Sequence, residues 1–127
     1  MRRVAPSRPS VPEKRVQADI VHLLRTVGAT VYVLGGHRRT GDYHGTMQTP
    51  GLPDVIAFIP IRHGDGRTKI MLCVEVKAAG GRLRPEQVAF AQACWEADVF
   101  HVTGNLDTVV QWLEDAPLTH RIRTEQR

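Results

Sequence analysis

Asp54, Glu75 and Lys77 are the residues of this 127-residue chain whose types and spacing best suit chemistry. Asp54 opens the apolar segment D-V-I-A-F-I-P, and Glu75 and Lys77 close the segment K-I-M-L-C-V-E-V-K. Between the segments lies Asp65-Gly66, a strong hairpin signal. Antiparallel pairing about that turn predicts Asp54 opposite Lys77 and close to Glu75. Side chains alternate along a strand, so Glu75 and Lys77 point the same way. A Glu-x-Lys at a strand end is often a surface ion pair. Here Asp54 and the apolar flanks give it weight. Clustered carboxylates repel, and a cation stabilises them near neutral pH. Oxygen ligands without thiolate or imidazole select Mg2+ or Mn2+. A cation so held acidifies a bound water and neutralises charge on a phosphoryl group, while Lys77 is placed to hold the attacking water or the phosphate.

The elements that must position these groups are legible in order. Pro12 opens a helix predicted over Glu13 to Val27, and Gly28 stops it. Its apolar stripe is Val16, Ile20, Leu23, Leu24 and Val27, and Glu13 and Gln17 share a sector with Ile20, Leu24 and Val27. Glu13 is therefore either a third acid facing the hairpin end or a first-turn residue complementing the helix dipole. Ala29–Leu34 is a β-branched strand. Both hairpin segments are apolar on both faces, which predicts a mid-sheet position with helices over it. On the second strand Ile70, Leu72, Val74 and Val76 form one face, and Met71, Cys73, Glu75 and Lys77 the other. Ala78–Leu83 is a turn, with Arg82 and Arg84 as candidates for phosphate contact. Pro85 starts a second helix running to about Ala97 with a core stripe of Val88, Ala91, Cys94 and Trp95, and Phe90 beside it. Gln87, in its first turn, either orients a phosphate or water near Glu75 or is simply solvated. Val99–Thr103 is a fourth strand, and Asn105 caps a third helix striped by Leu106, Val109, Val110 and Leu113. The order predicts an α/β sandwich around a mixed central sheet.

The length predicts one domain, residues 13–115, between a basic proline-containing arm (1–12) and a polar basic tail (116–127). A net charge of +4 suits a phosphate-bearing partner, or is merely that of a basic soluble protein. The glycine-rich stretch 35–53 carries Arg38, Arg39 and Tyr43, which suit phosphate and base contact. His37 and His44 in the same stretch match no zinc-ligand spacing. Cys73 and Cys94 read as buried free thiols of a reducing compartment. No apolar run approaches the ~20 residues of a membrane span. The expected location is intracellular, in cytoplasm or nucleoid, or in host cytoplasm for a viral protein.

P-D at 53–54 and E-V-K at 75–77, inside an αβββαβ order, resemble the PD-(D/E)xK nuclease superfamily. The chain is more closely similar to its VRR-NUC family. Matching pieces are E-x-x-x-Q at Glu13 and Gln17, P-G-L-P-D at 50–54, E-V-K-A-A-G-G-R-L at 75–83 and P-E-Q at 85–87. The resemblance spans roughly residues 12–113. It implies a restriction-endonuclease-like αβββαβ core with an extra C-terminal helix. It further implies metal binding by Glu13, Asp54, Glu75 and the carbonyl of Val76, a catalytic Lys77, and a supporting Gln87. Short stand-alone members resemble Holliday-junction resolvases, which implies a homodimer acting on branched DNA.

The leading expectation is a Mg2+- or Mn2+-dependent endonuclease acting on DNA junctions or flaps. The competing readings are a restriction-type endonuclease on linear duplex, a non-catalytic nucleic-acid-binding module, and a small structural α/β protein with ion-paired acids.

Overall fold

The computed structural model describes residues 11–34, 49–63 and 66–115, the side chains of 62–67 excepted. The elements are α1 (Glu13–Thr26), β1 (Thr30–Val33), β2 (Val55–His63), β3 (Gly66–Val76), α2 (Pro85–Glu96), β4 (Phe100–Gly104) and α3 (Leu106–Asp115). This is the expected order. Arg38, Arg39 and Tyr43, together with His37, His44, residues 1–10 and the tail 116–127, lie outside the described residues. No helix among the described residues is long and apolar enough to cross a membrane.

The strands form one sheet in the order β1-β2-β3-β4. β1 and β2 pair antiparallel, as do β2 and β3, whereas β4 joins β3 in parallel through the α2 crossover. The hairpin strands are therefore central, as their two-sided apolar pattern requires. One sheet face carries Val31, Val55, Ala57, Ile59, Leu72 and Val74, all buried. It packs against Ile20 and Leu24 of α1 and Val109 and Leu113 of α3. Fully burying one such aliphatic side chain stabilises the fold by about 1.5–3 kcal/mol. Asn105 caps α3 as expected, its Oδ1 accepting the N–H of Thr108 at 3.1 Å.

Two expectations need correction. The hairpin pairs Val55 with Val74 and His63 with Gly66. Asp54, one residue further out, thus falls opposite Glu75, not opposite Lys77. Gly66 is the first residue of β3, paired with His63, and not part of the turn, which shifts the register by two residues. An even shift leaves every side chain on its expected face. The second correction concerns α2. Its buried residues are Gln87 and Cys94, while Val88 is 50% and Trp95 79% exposed. α2 packs against β4, not against the full sheet. Its sequence P-E-Q-V-A-F-A-Q-A-C-W-E is apolar around most of its circumference, so periodicity defines no unique buried stripe.

Candidate active site at the end of the central hairpin

Asp54 is held on three sides. Its backbone N–H donates to the Val74 carbonyl at 3.0 Å, and its carbonyl accepts the Leu34 N–H at 2.8 Å. Its carboxylate Oδ2 accepts the N–H of Val76 at 2.8 Å. The side chain thus extends the β2–β3 ladder beyond its end pair, Val55 and Val74, just after the fully buried Pro53. Val76 holds Asp54 through its N–H, while the resemblance implies its carbonyl as a metal ligand.

Glu75 lies opposite, on the face of β3 turned toward α2, and is only 4% exposed. Its Oε2 accepts a 2.9 Å hydrogen bond from Gln87 Nε2. The other end of the same amide, Oε1, accepts the Arg84 N–H at 2.8 Å, which fixes the amide's orientation. Gln87 is buried, so the solvated alternative for it falls away. Burial, then the Asp54 charge and a hydrogen bond to Asp54, push the Glu75 carboxyl up from 4.5 to about 7, while Lys77 and Arg84 pull the other way. Burying a charge beside a like charge is costly, and protonation or a cation relieves the cost.

Lys77 is half-buried just beyond the end of β3, and its N–H donates to the Gly104 carbonyl of β4 at 3.0 Å. The turn that follows closes with Gly81 N–H on the Ala78 carbonyl at 2.9 Å. A Cβ at Gly81 would lie 3.3 Å from Lys77 Cδ, so the turn runs close along the lysine stem.

Glu13 is exposed, not folded inward, and its Oε2 accepts a 3.4 Å bond from the Ala78 N–H. It reaches the strand exit beyond Lys77. Among the described residues no group of three or more His, Cys, Asp or Glu side chains is placed to hold a metal. The acids brought together are therefore Asp54 and Glu75. Gln17 is half-buried one turn after Glu13. Arg82 and Arg84 are exposed at the mouth of the turn, and Arg84 Nε lies 3.3 Å from Glu86 Oε2.

Gly51, inside the P-G-L-P-D piece, has a packing role that pattern reading does not assign. It is buried with φ +98°, and a Cβ there would run into the backbone carbonyl of Glu86. The loop leading to Asp54 thus abuts the first turn of α2, one residue from Gln87. P-G-L-P marks a turn in the sequence, yet nothing in it names the partner. Cys73 and Cys94 are buried free thiols, as expected. Burial, then Cys94, pushes the Cys73 thiol up to about 12, which makes it inert as a nucleophile.

A scan against family models finds no match, and a comparison with curated proteins finds none. Among solved structures, one titled "VRR_NUC domain" matches with a TM-score of 0.58 and 21% identity, over 82% of this chain and 96% of that one. This chain has the VRR-NUC fold. The VRR-NUC likeness read from the motifs therefore holds at the level of fold, as a restriction-endonuclease-like αβββαβ core with an added C-terminal helix.

Proposed function

We propose that the chain is a metal-dependent nuclease that hydrolyses phosphodiester bonds in branched DNA, with Asp54, Glu75 and Lys77 at its centre. One observation carries the reading: two carboxylates face each other across the central hairpin, and burial and mutual repulsion raise Glu75 to about 7. A purely structural site would gain by replacing such a pair with apolar residues.

The donor set fits Mg2+ or Mn2+. Each carboxylate has one oxygen tied, Asp54 Oδ2 to Val76 and Glu75 Oε2 to Gln87, and one further oxygen to offer. Mg2+ sites commonly use one or two carboxylates and complete their shell with water and phosphate oxygens. Asp54, Glu75 and the Val76 carbonyl would hold the ion, with Glu13 reached through the substrate or water. Bound there, a divalent ion lowers the pKa of a water and offsets phosphoryl charge. Gln87 keeps the Glu75 carboxylate aimed. Lys77 orients the attacking water or the phosphate oxygen with its ammonium. Arg82 and Arg84 contact the DNA backbone, and Arg38, Arg39 and Tyr43, outside the described residues, are further candidates for phosphate and base contact. A homodimer suits a four-way junction, which one chain of this size does not span.

The test is a cleavage panel of four-way junctions, flaps, single strands and linear duplexes in Mg2+ or Mn2+. The reading expects branched substrates to be cut preferentially and EDTA to abolish cutting. Preference for a linear duplex of one sequence would point to a restriction-type enzyme. Salt-sensitive binding with no products at any metal concentration would point to a binding module.

A further inference from the structure

Among the described residues the two sheet faces are covered unequally. α1 and α3 fill one. On the other, α2 packs against β4, and among the described residues no helix lies over that side of β1 and β2. Strand alternation places Tyr32, Ile56, Phe58 and Met71 on this open face, with Lys69 at its far end. Ile56, Phe58 and Met71 are half-buried, and Tyr32 is 54% exposed. The Tyr32 ring stands edge-on to Phe58, with centroids 6.1 Å apart and planes at 79°. Phe58 thus props the Tyr32 ring from one side and leaves much of it open.

This patch is continuous with the candidate active site. Glu75 is on the same face of β3 as Met71, and Asp54 is on the same face of β2 as Ile56. Strand separations of about 4.8 Å and rises of about 3.3 Å per residue put Tyr32 roughly 12 Å from Glu75. A short run of extended nucleotides covers that distance. We infer that the open face around Tyr32 stacks unpaired nucleobases of the strand whose phosphate sits at Asp54 and Glu75. Paired bases hide their faces in the duplex, whereas unpaired bases offer them to an aromatic side chain. Lys69 and Lys77 bracket the patch with cations, in a chain of net charge +4. The substrate class is therefore DNA with unpaired nucleotides beside the scissile bond. This inference rests on the nuclease reading and deepens it.

Fluorescence anisotropy in EDTA tests it separately from catalysis. The probes are a labelled thymidine strand of about 12 nucleotides, within the ~4–16 nucleotide sites of single-strand binders, and an abasic strand of the same length. The thymidine strand should bind at least about 10-fold more tightly than the abasic one. Tyr32→Ala should erase that difference, and Tyr32→Phe, which keeps the ring, should retain it. Equal binding of the two strands by the wild type, or undiminished thymidine binding by Tyr32→Ala, overturns the inference. So does a Tyr32→Ala variant whose only change, by sedimentation, is its oligomeric state, because the face would then seat a second copy. A chain that passes this test yet cleaves nothing with metal overturns the nuclease reading alone. A chain that cleaves with metal but binds both strands equally overturns the stacking alone.

Discussion

Glu75 is the residue on which the site's electrostatics turn. Its carboxyl is raised from 4.5 to about 7 in the folded chain. The folded state therefore holds a proton that the unfolded state releases between those values. Glu75's own contribution to the stability of the metal-free protein is largest below about pH 4.5, is lost as pH rises to about 7, and levels off above, a difference of roughly 3 kcal/mol. Denaturant melts at several pH values should show this slope in the wild type and its loss in Glu75→Gln, which is also the more stable protein at pH 8. Gln87 acts through Glu75. Gln87→Ala removes the donor to Oε2 and the acceptor of the Arg84 N–H, so cleavage should fall about 10–100-fold. Single-turnover rates measure that. An unchanged rate would make Gln87 a structural residue only. At this scale the grouping of Asp54, Glu75 and Lys77 at one strand end was legible because acids and a lysine stand out against apolar strands. The exact pairing was not, since Gly66 could serve the turn or the ladder, and only the folded hairpin decides between them.

Among the elements, α2 is the one that pattern reading placed in sequence but gave too wide a buried stripe: Cys94 is buried as expected, whereas Val88 and Trp95 are exposed. α1 and α3 bury the stripes their spacing implies, because polar residues fill their other sides. α2 lacks that contrast, and its buried groups are a glutamine and a thiol. Trp95→Ala should therefore change stability by no more than about 0.5 kcal/mol. Leu24→Ala, at a position with no exposed surface, should cost about 2–5 kcal/mol. Chemical denaturation of both variants checks the contrast, and a large loss at Trp95 would mean that α2 packs differently. Gly51 links α2 to the loop before Asp54. Gly51→Ala strains a positive φ and pushes on Glu86, so it should destabilise by at least about 1–3 kcal/mol. It should also lower cleavage under conditions where the variant remains folded, because Gln87 moves with that turn. The P-G-L-P string announces a turn but not its contact with α2, which depends on how the crossover brings two distant segments together.

In the whole molecule, a parallel edge strand and two antiparallel pairs bring the end of β3, the start of β2 and the first turn of α2 to one point. The αβββαβ order was legible because each element has its own punctuation: Pro12, Gly28, Pro85 and Asn105. The unequal covering of the sheet was not, since residues apolar on both sides of a strand look the same whether a helix covers them or not. The net charge and the open face beside the acids suit a strand of nucleic acid drawn across the sheet toward Lys77. The most direct test of the central claim is single-turnover cleavage of a flapped duplex, a branched DNA with an unpaired strand at the branch, by wild type and Lys77→Ala, in Mg2+ and in EDTA. The account predicts cutting by the wild type in Mg2+ only, and a loss of at least about 100-fold in Lys77→Ala. Cutting that persists in EDTA, or that Lys77→Ala leaves intact, would contradict it.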